Sequence, residues 1–216
     1  MVEEPQTRAL ASAGVAAVLA LVAGTELEAP VVVALSTGLR RGELLGLRWS
    51  DVDLDAARLT VRRSVEYIDG ERREKMPKTR RSKRTVALPA FAVEALRRRR
   101  AEQRENRLLL GMGREDGDGV VFTRAGEEPW HPSVFGNAFG RTMRKAGIAC
   151  RLHDLRHSFA TLMLASGTDL KTVSTALGHS AIGVTANTYL HAVDALEADA
   201  AARLDVVLRG AAPRKT

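Results

Sequence analysis

Between Arg58 and Pro89 the apolar residues stop recurring at helical spacing and alternate instead. Leu59 and Val61 come first, then Val65 and Tyr67, then the run Thr85 to Leu88 closed by Pro89. Alternation at period two marks half-buried strands, and Asp69-Gly70 supplies a tight turn between two of them. The flanks have a different pattern. Glu28 to Ser36 before this stretch, and Ala90 to Arg107 and Ser133 to about Ala146 after it, read as helices, with Ser133 as a cap. A small three-stranded antiparallel sheet set into a helical chain leaves few architectures, and the fold class expected is mixed α/β, mainly α-helical. Gly111 to Gly119 reads as a loop, Val120 to Phe122 as an extended piece, Trp130 and Phe135 as packing residues and His131 as loop surface.

The small-residue run Ala9 to Ala23 is too short to span a membrane, and Glu3 and Glu4 oppose the basic start of a secretory signal. A buried helix is expected there. With 33 Lys and Arg against 26 acids, the formal net charge is +7, which favours a polyanionic partner, most simply nucleic acid. Part of that charge sits in the connection MPKTRRSK, where Lys78, Arg80, Arg81, Lys83 and Arg84 read either as a solvated basic loop or as a hairpin tracking phosphates. Arg97 to Arg100 point all round their helix and read as a solvated face. The one cysteine, Cys150, excludes an intramolecular disulfide and any cysteine-based zinc site, and fits a reducing cytoplasm.

The densest polar chemistry lies from His153 to His191. Gly167 and Gly178 read as helix C-caps, with Thr168 or Asp169 and then Ser180 as the next N-caps, so the run breaks into short helices able to surround one pocket. His153 and Arg156, three residues apart, share a helix face and suit an anion. Upstream, Arg40 follows the helix-breaking Gly38, with Glu43 one turn on as an orienting partner. Together with Lys78, His179 and Tyr189 these residues suit phosphoryl transfer to a tyrosine without metal or other cofactor. Arg40 and Arg156 would clamp the nonbridging oxygens. Tyr189 would attack, His153 would take its proton, Lys78 would protonate the leaving oxygen and His179 would donate to a nonbridging oxygen.

The segments TGLRRGELLGLRW, PKTRRSKRTVALP, HDLRHSFATLML and LGHSAIGVTANTYLH resemble, in order, the motifs of the tyrosine recombinase (phage integrase) family. The resemblance runs from about Glu28 to His191. It places the family's six active-site residues at Arg40, Lys78, His153, Arg156, His179 and the nucleophile Tyr189, with Lys75 and Lys83 as alternatives for the lysine. It implies a catalytic domain over 1–209 followed by a basic flexible tail, 210–216. The implied chemistry is cleavage and rejoining of double-stranded DNA through a 3′-phosphotyrosyl bond, without metal or cofactor, in integration or excision. It further implies a tetramer on DNA linked through the final helix, Ala195 to Leu208, a protein mainly monomeric in solution, accessory DNA-bending proteins and no membrane partner. The family's N-terminal core-binding domain is expected to be absent, and weak, shallowly salt-dependent DNA binding is expected from the catalytic domain alone.

Three rival readings remain at this point. Type IB topoisomerases are similar in chemistry, but typically carry lysine at the position matching His153. His153 and His157 stand at i and i+4 as in a zinc hydrolase, yet Asp154 replaces the glutamate and no third ligand is evident. A noncatalytic DNA-binding remnant is the third.

Overall fold

A computed structural model describes residues 9–76, 83–113, 117–179, 183, 185 and 186. Its elements are α1 (Ser12–Val22), α2 (Glu28–Thr37), α3 (Arg41–Leu45), β1 (Val52–Asp53), β2 (Arg58–Val61), β3 (Ser64–Ile68), β4 (Glu71–Lys75), β5 (Arg84–Ala87), α4 (Ala90–Leu109), α5 (Pro132–Lys145), α6 (Leu152–Ala165) and α7 (Leu170–Leu177). The class is as expected: mainly helical, with a small antiparallel sheet. The core forms around α2, in which every residue from Ala29 to Leu35 is buried. A helix apolar all round belongs in an interior, and α2 packs there against α1, α4 and α6. The run expected as a buried helix forms α1, but only Val18 and Val22 on it are buried. Val15, Leu19 and Leu21 pack against the core only partly buried, so the helix lies on the surface of the core with one face inward.

Three strands form the sheet, in the order β1-β2-β5, antiparallel, with Leu59 opposite Val86. Val65 and Tyr67, expected in the same sheet, lie instead in a separate hairpin of β3 and β4. Asp69 and Gly70, both at positive φ, turn β3 directly onto Glu71–Lys75. That partner, ERREK, has no apolar alternation to announce it. Two further expectations change. Arg99 is buried, donating to the carbonyls of Val121 (3.2 Å) and Thr123 (2.9 Å), while Arg100 lies over the Trp49 ring, so α4's arginines partly hold the 120–123 segment. The cap of α5 is His131 and not Ser133: its Nδ1 accepts from the Ser133 amide, and its ring lies 3.9 Å from that of Tyr67. Trp130 and Phe135 pack edge to face in the core.

Candidate active site

Gly38 ends α2 in the left-handed conformation, with φ 62°, and a Cβ there would stand 2.4 Å from Phe159 Cδ1 and 2.9 Å from Leu177 Cδ2. The end of α2 is therefore pressed against α6 and α7. Arg40 occupies the cap position of α3 directly after this turn. Its amide donates to Glu43 Oε2 (2.8 Å) and its guanidinium to Glu43 Oε1 (3.1 Å), leaving the side chain 46% exposed. Gly42 and Gly46 let α3 lie on the hairpin, since a Cβ on Gly42 would meet Ser64 Oγ at 2.4 Å and the Val65 carbonyl at 2.6 Å, and one on Gly46 would meet Val65 Cγ1 at 3.4 Å.

From the other side, α6 begins at Leu152, with Asp154 Oδ2 accepting from the Arg151 amide at 2.7 Å. His153 is exposed on its first turn. Arg156, 4% exposed, donates to the carbonyls of Gly38 and Leu177, the latter at 2.7 Å. One guanidinium thus joins the ends of α2 and α7, taking carbonyls that a helix terminus leaves without intrahelical partners. His157, one turn after His153, stands edge-on to it with ring centroids 4.7 Å apart.

The N-cap of α7 is Asp169, which accepts from the Thr172 amide at 2.9 Å, and its C-cap is Gly178 at φ 66°. His179 follows. Its Nδ1 is 2.8 Å from the hydroxyl of buried Thr185, so when that hydroxyl donates, Nε2 carries the proton and can donate to an anion. Arg40 Nη2 comes within 3.5 Å of the Gly178 carbonyl. Arg40, Arg156 and His179 therefore converge on the end of α7, with His153 beside Arg156. A groove of about 740 Å³ lined by Arg41, Asn137, Arg144, Arg151 and His153 adjoins them.

Cations dominate the electrostatics. Burial and then the charges of Arg156, Arg40 and Arg84 push His179 down to about 4. Burial and the neighbouring His153 push His157 down to about 4. Desolvation and Arg156 lower His153 as well. The histidines thus favour their neutral forms, able to accept or donate one proton. Glu43 is raised by its burial but lowered more by bonds and charge from Arg84 and by the Arg40 amide, and is held below the usual carboxylate range.

Of the residues singled out in the sequence, the structure brings together Arg40, His153, Arg156 and His179. Lys78, Arg80, Arg81 and Tyr189 lie outside the described residues, as do Ala195 to Leu208 and 210–216. Of the alternative lysines, Lys75 pairs with Glu66 at 3.1 Å and Lys83 is exposed. Arg84, grouped in the sequence with its basic neighbours, is 7% exposed and donates to both oxygens of Glu43 at 3.0 and 2.9 Å. All three of its nitrogens donate within the protein, to Glu43 and the Ala176 carbonyl, which does not fit a residue tracking the phosphate backbone. A signal for this existed: Arg84 shares strand parity with buried Val86 and Leu88. Among the described residues no group of three or more His, Cys, Asp or Glu is placed to hold a metal ion, and no helix is long and apolar enough to cross a membrane.

Comparison with known proteins adds ancestry to this geometry. The sequence model of the phage integrase family matches residues 16–195. The chain is 37% identical over 182 residues to the tyrosine recombinase XerC-like protein of Caldanaerobacter subterraneus, covering 79% of this chain and 46% of that one. It is 31% identical over 177 residues to the ICEBs1 integrase of Bacillus subtilis, covering 82% and 48%. The chain spans about half the length of the curated relatives it matches. Among solved structures, the Tn1549 transposon integrase in complex with transposon right end DNA shares its fold with a TM-score of 0.75, at 24% identity, over 87% of this chain and 62% of that one. The XerA recombinase does so with a TM-score of 0.68, at 24% identity, over 98% and 68%.

Proposed function

The chain belongs to the phage integrase family, and from that premise we propose that it is the catalytic part of a tyrosine site-specific recombinase, cutting and rejoining double-stranded DNA through a 3′-phosphotyrosyl intermediate. The observation that carries this reading is the meeting of Arg40, Arg156 and His179 at the end of α7, with His153 one turn from Arg156. In-line attack on a phosphodiester builds charge on the nonbridging oxygens, and two guanidinium groups with a neutral imidazole donor stabilise it where other enzymes use a metal ion. Tyr189 supplies the nucleophile. A phenol of pKa about 10 is scarcely ionised at neutral pH, and His153, held neutral, is the base that takes its proton. Lys78 gives the leaving 5′ oxygen its proton. Religation reverses the steps on a new 5′ hydroxyl.

The groove lined by Arg41, Arg144 and Arg151 supplies cations for the DNA backbone beside the phosphate site, and Arg80, Arg81 and Lys83 supply further ones. Strand exchange takes place in a tetramer linked through Ala195 to Leu208, in the cytoplasm, with accessory DNA-bending proteins where the site requires them. The test is single-turnover cleavage of nicked duplexes carrying candidate attachment sites, with and without EDTA. Arg40→Ala and Arg156→Ala are each expected to slow cleavage by roughly 10² or more, by analogy with removal of an oxyanion donor. Chelator is expected to leave the rate unchanged. Loss of cleavage in EDTA, or unchanged rates in both arginine variants, overturns the reading.

A further inference from the structure

Three arginines from three elements end one helix. The carbonyls of Ala176, Leu177 and Gly178, in succession, meet Arg84 Nε at 2.6 Å, Arg156 Nη2 at 2.7 Å and Arg40 Nη2 at 3.5 Å. A helix C-terminus carries partial negative charge and carbonyls without intrahelical partners, which explains why cations gather there. It does not explain why one of them, Arg84, is also bonded through its other nitrogens to a buried carboxylate. Arg40 and Arg156 are the two assigned to the phosphate, whereas Arg84, buried like Arg156, gives its two remaining nitrogens to the two oxygens of Glu43. Glu43 also accepts from the amide and the guanidinium of Arg40. At Gly178 a Cβ would stand 2.8 Å from Arg84 Nη1, so the cap residue leaves room for the guanidinium.

We propose that Arg84 is a positioning residue of the phosphate site: one planar guanidinium fixes both the end of α7, which carries His179, and the carboxylate that orients Arg40, and ties both to β5. Arg84 is the first residue of β5 and follows the connection that contains Lys78. Its backbone is thus the near anchor of that connection. The arrangement needs an arginine. A lysine keeps the charge but offers a single point donor, and cannot bond both Glu43 oxygens and the Ala176 carbonyl in one fixed plane. The catalytic consequence rests on the recombinase reading above, while the positional one does not.

Arg84→Lys in the full chain separates geometry from charge. The His179 ring, assigned in NMR spectra by its loss in His179→Gln, is followed through a pH titration. The groups acting on it are Arg156 from α6, Arg40, Arg84 and His157, and their charges are unchanged in Arg84→Lys. If Arg84 only supplied charge, the titration near 4 and the tautomer set by Thr185 would persist. Positioning predicts that the titration moves up toward ordinary imidazole values and that the two tautomers average. Single-turnover adduct formation on a nicked duplex is expected to fall at least 10-fold, with affinity for the same duplex within twofold. Arg84→Met combined with Glu43→Gln, which strands no buried charge, should show the same pattern, and cooperative thermal unfolding checks that each variant is folded. An unchanged His179 titration and tautomer in Arg84→Lys overturns the proposal, as does wild-type cleavage by that variant. If the wild-type chain forms no adduct with any duplex, the recombinase reading fails, and the NMR titration still decides what Arg84 does.

Discussion

Gly38→Ala tests the packing that underlies the site. Two costs add. A non-glycine residue at φ 62° pays about 1–2 kcal/mol for the left-handed conformation. The new methyl also stands 2.4 Å from Phe159 Cδ1 and 2.9 Å from Leu177 Cδ2, and forcing an extra carbon into a packed core costs about 1–3 kcal/mol. The sum is about 2–5 kcal/mol, a large part of a typical domain's stability. Gly167→Ala is the control, because its φ is 85° but nothing lies within 4 Å of its Cβ position. Urea unfolding of both variants beside the wild type should give about 1–2 kcal/mol for Gly167→Ala and about 1–3 kcal/mol more for Gly38→Ala, with equal m values. Equal losses in the two variants would refute close contact of α2 with α6 and α7. Because Gly38 offers its carbonyl to Arg156 and Phe159 lies one turn beyond Arg156 on α6, cleavage by Gly38→Ala should also fall, measured where the variant remains folded.

Glu43→Ala removes a carboxylate shared by two arginines and leaves Arg84 buried without its counter-charge, so a loss of about 3–5 kcal/mol is expected in the same urea assay. Acid should destabilise the fold in two stages. His157 and His179 are pushed from 6.5 down to about 4 in the folded chain, so between those values the unfolded chain binds protons that the folded one does not, and stability falls as pH drops from about 6.5 toward 4. Glu43, depressed in the fold, adds stability above its unfolded pKa of 4.5 that is lost as pH falls through its lower folded value. Calorimetry in buffers of different ionisation enthalpy should show proton uptake on unfolding near pH 5, and uptake of none would contradict the burial of these rings. Lys78→Ala should cleave ordinary DNA slowly and regain much of its rate on a 5′-bridging phosphorothioate, whose sulfur leaves without a proton; the same rescue with Lys75→Ala or Lys83→Ala would move the acid along the hairpin.

Much of this was legible in the sequence where one residue type answers one backbone requirement. Gly38, Gly167 and Gly178 announced helix ends because they stand where the chain turns left-handed, and Thr168 or Asp169 marked the start of α7, where the Asp169 carboxylate caps the Thr172 amide. The pairing of Arg40 with Glu43 followed from helical spacing. What stayed hidden depends on partners remote in sequence. Nothing near β4 reveals that ERREK pairs with Ser64–Ile68, because its stabilisation comes from backbone bonds and from Glu74 reaching Arg48 and Arg72. The buried place of Arg84 was hinted at by strand parity but masked by the basic run it closes, and only tertiary contact with Glu43 and Ala176 makes an enclosed charge tolerable there. The bond from His179 to Thr185 joins two side chains six residues apart that single-residue preferences do not bring together.

The atom that becomes joined to DNA distinguishes a tyrosine nucleophile from every other mode of cleavage. The chain, incubated with a nicked duplex carrying a candidate attachment site, is digested with protease and nuclease, and the nucleotide-bearing peptide is sequenced by mass spectrometry. Catalysis through Tyr189 gives a single 3′-phosphate ester on the Tyr189 oxygen, a free 5′ hydroxyl on the released strand, and no adduct from Tyr189→Phe although that variant binds the duplex as tightly as the wild type. An adduct on Tyr67, the other tyrosine of the sequence, a 5′-phosphate linkage, or hydrolysis with no covalent intermediate would contradict it.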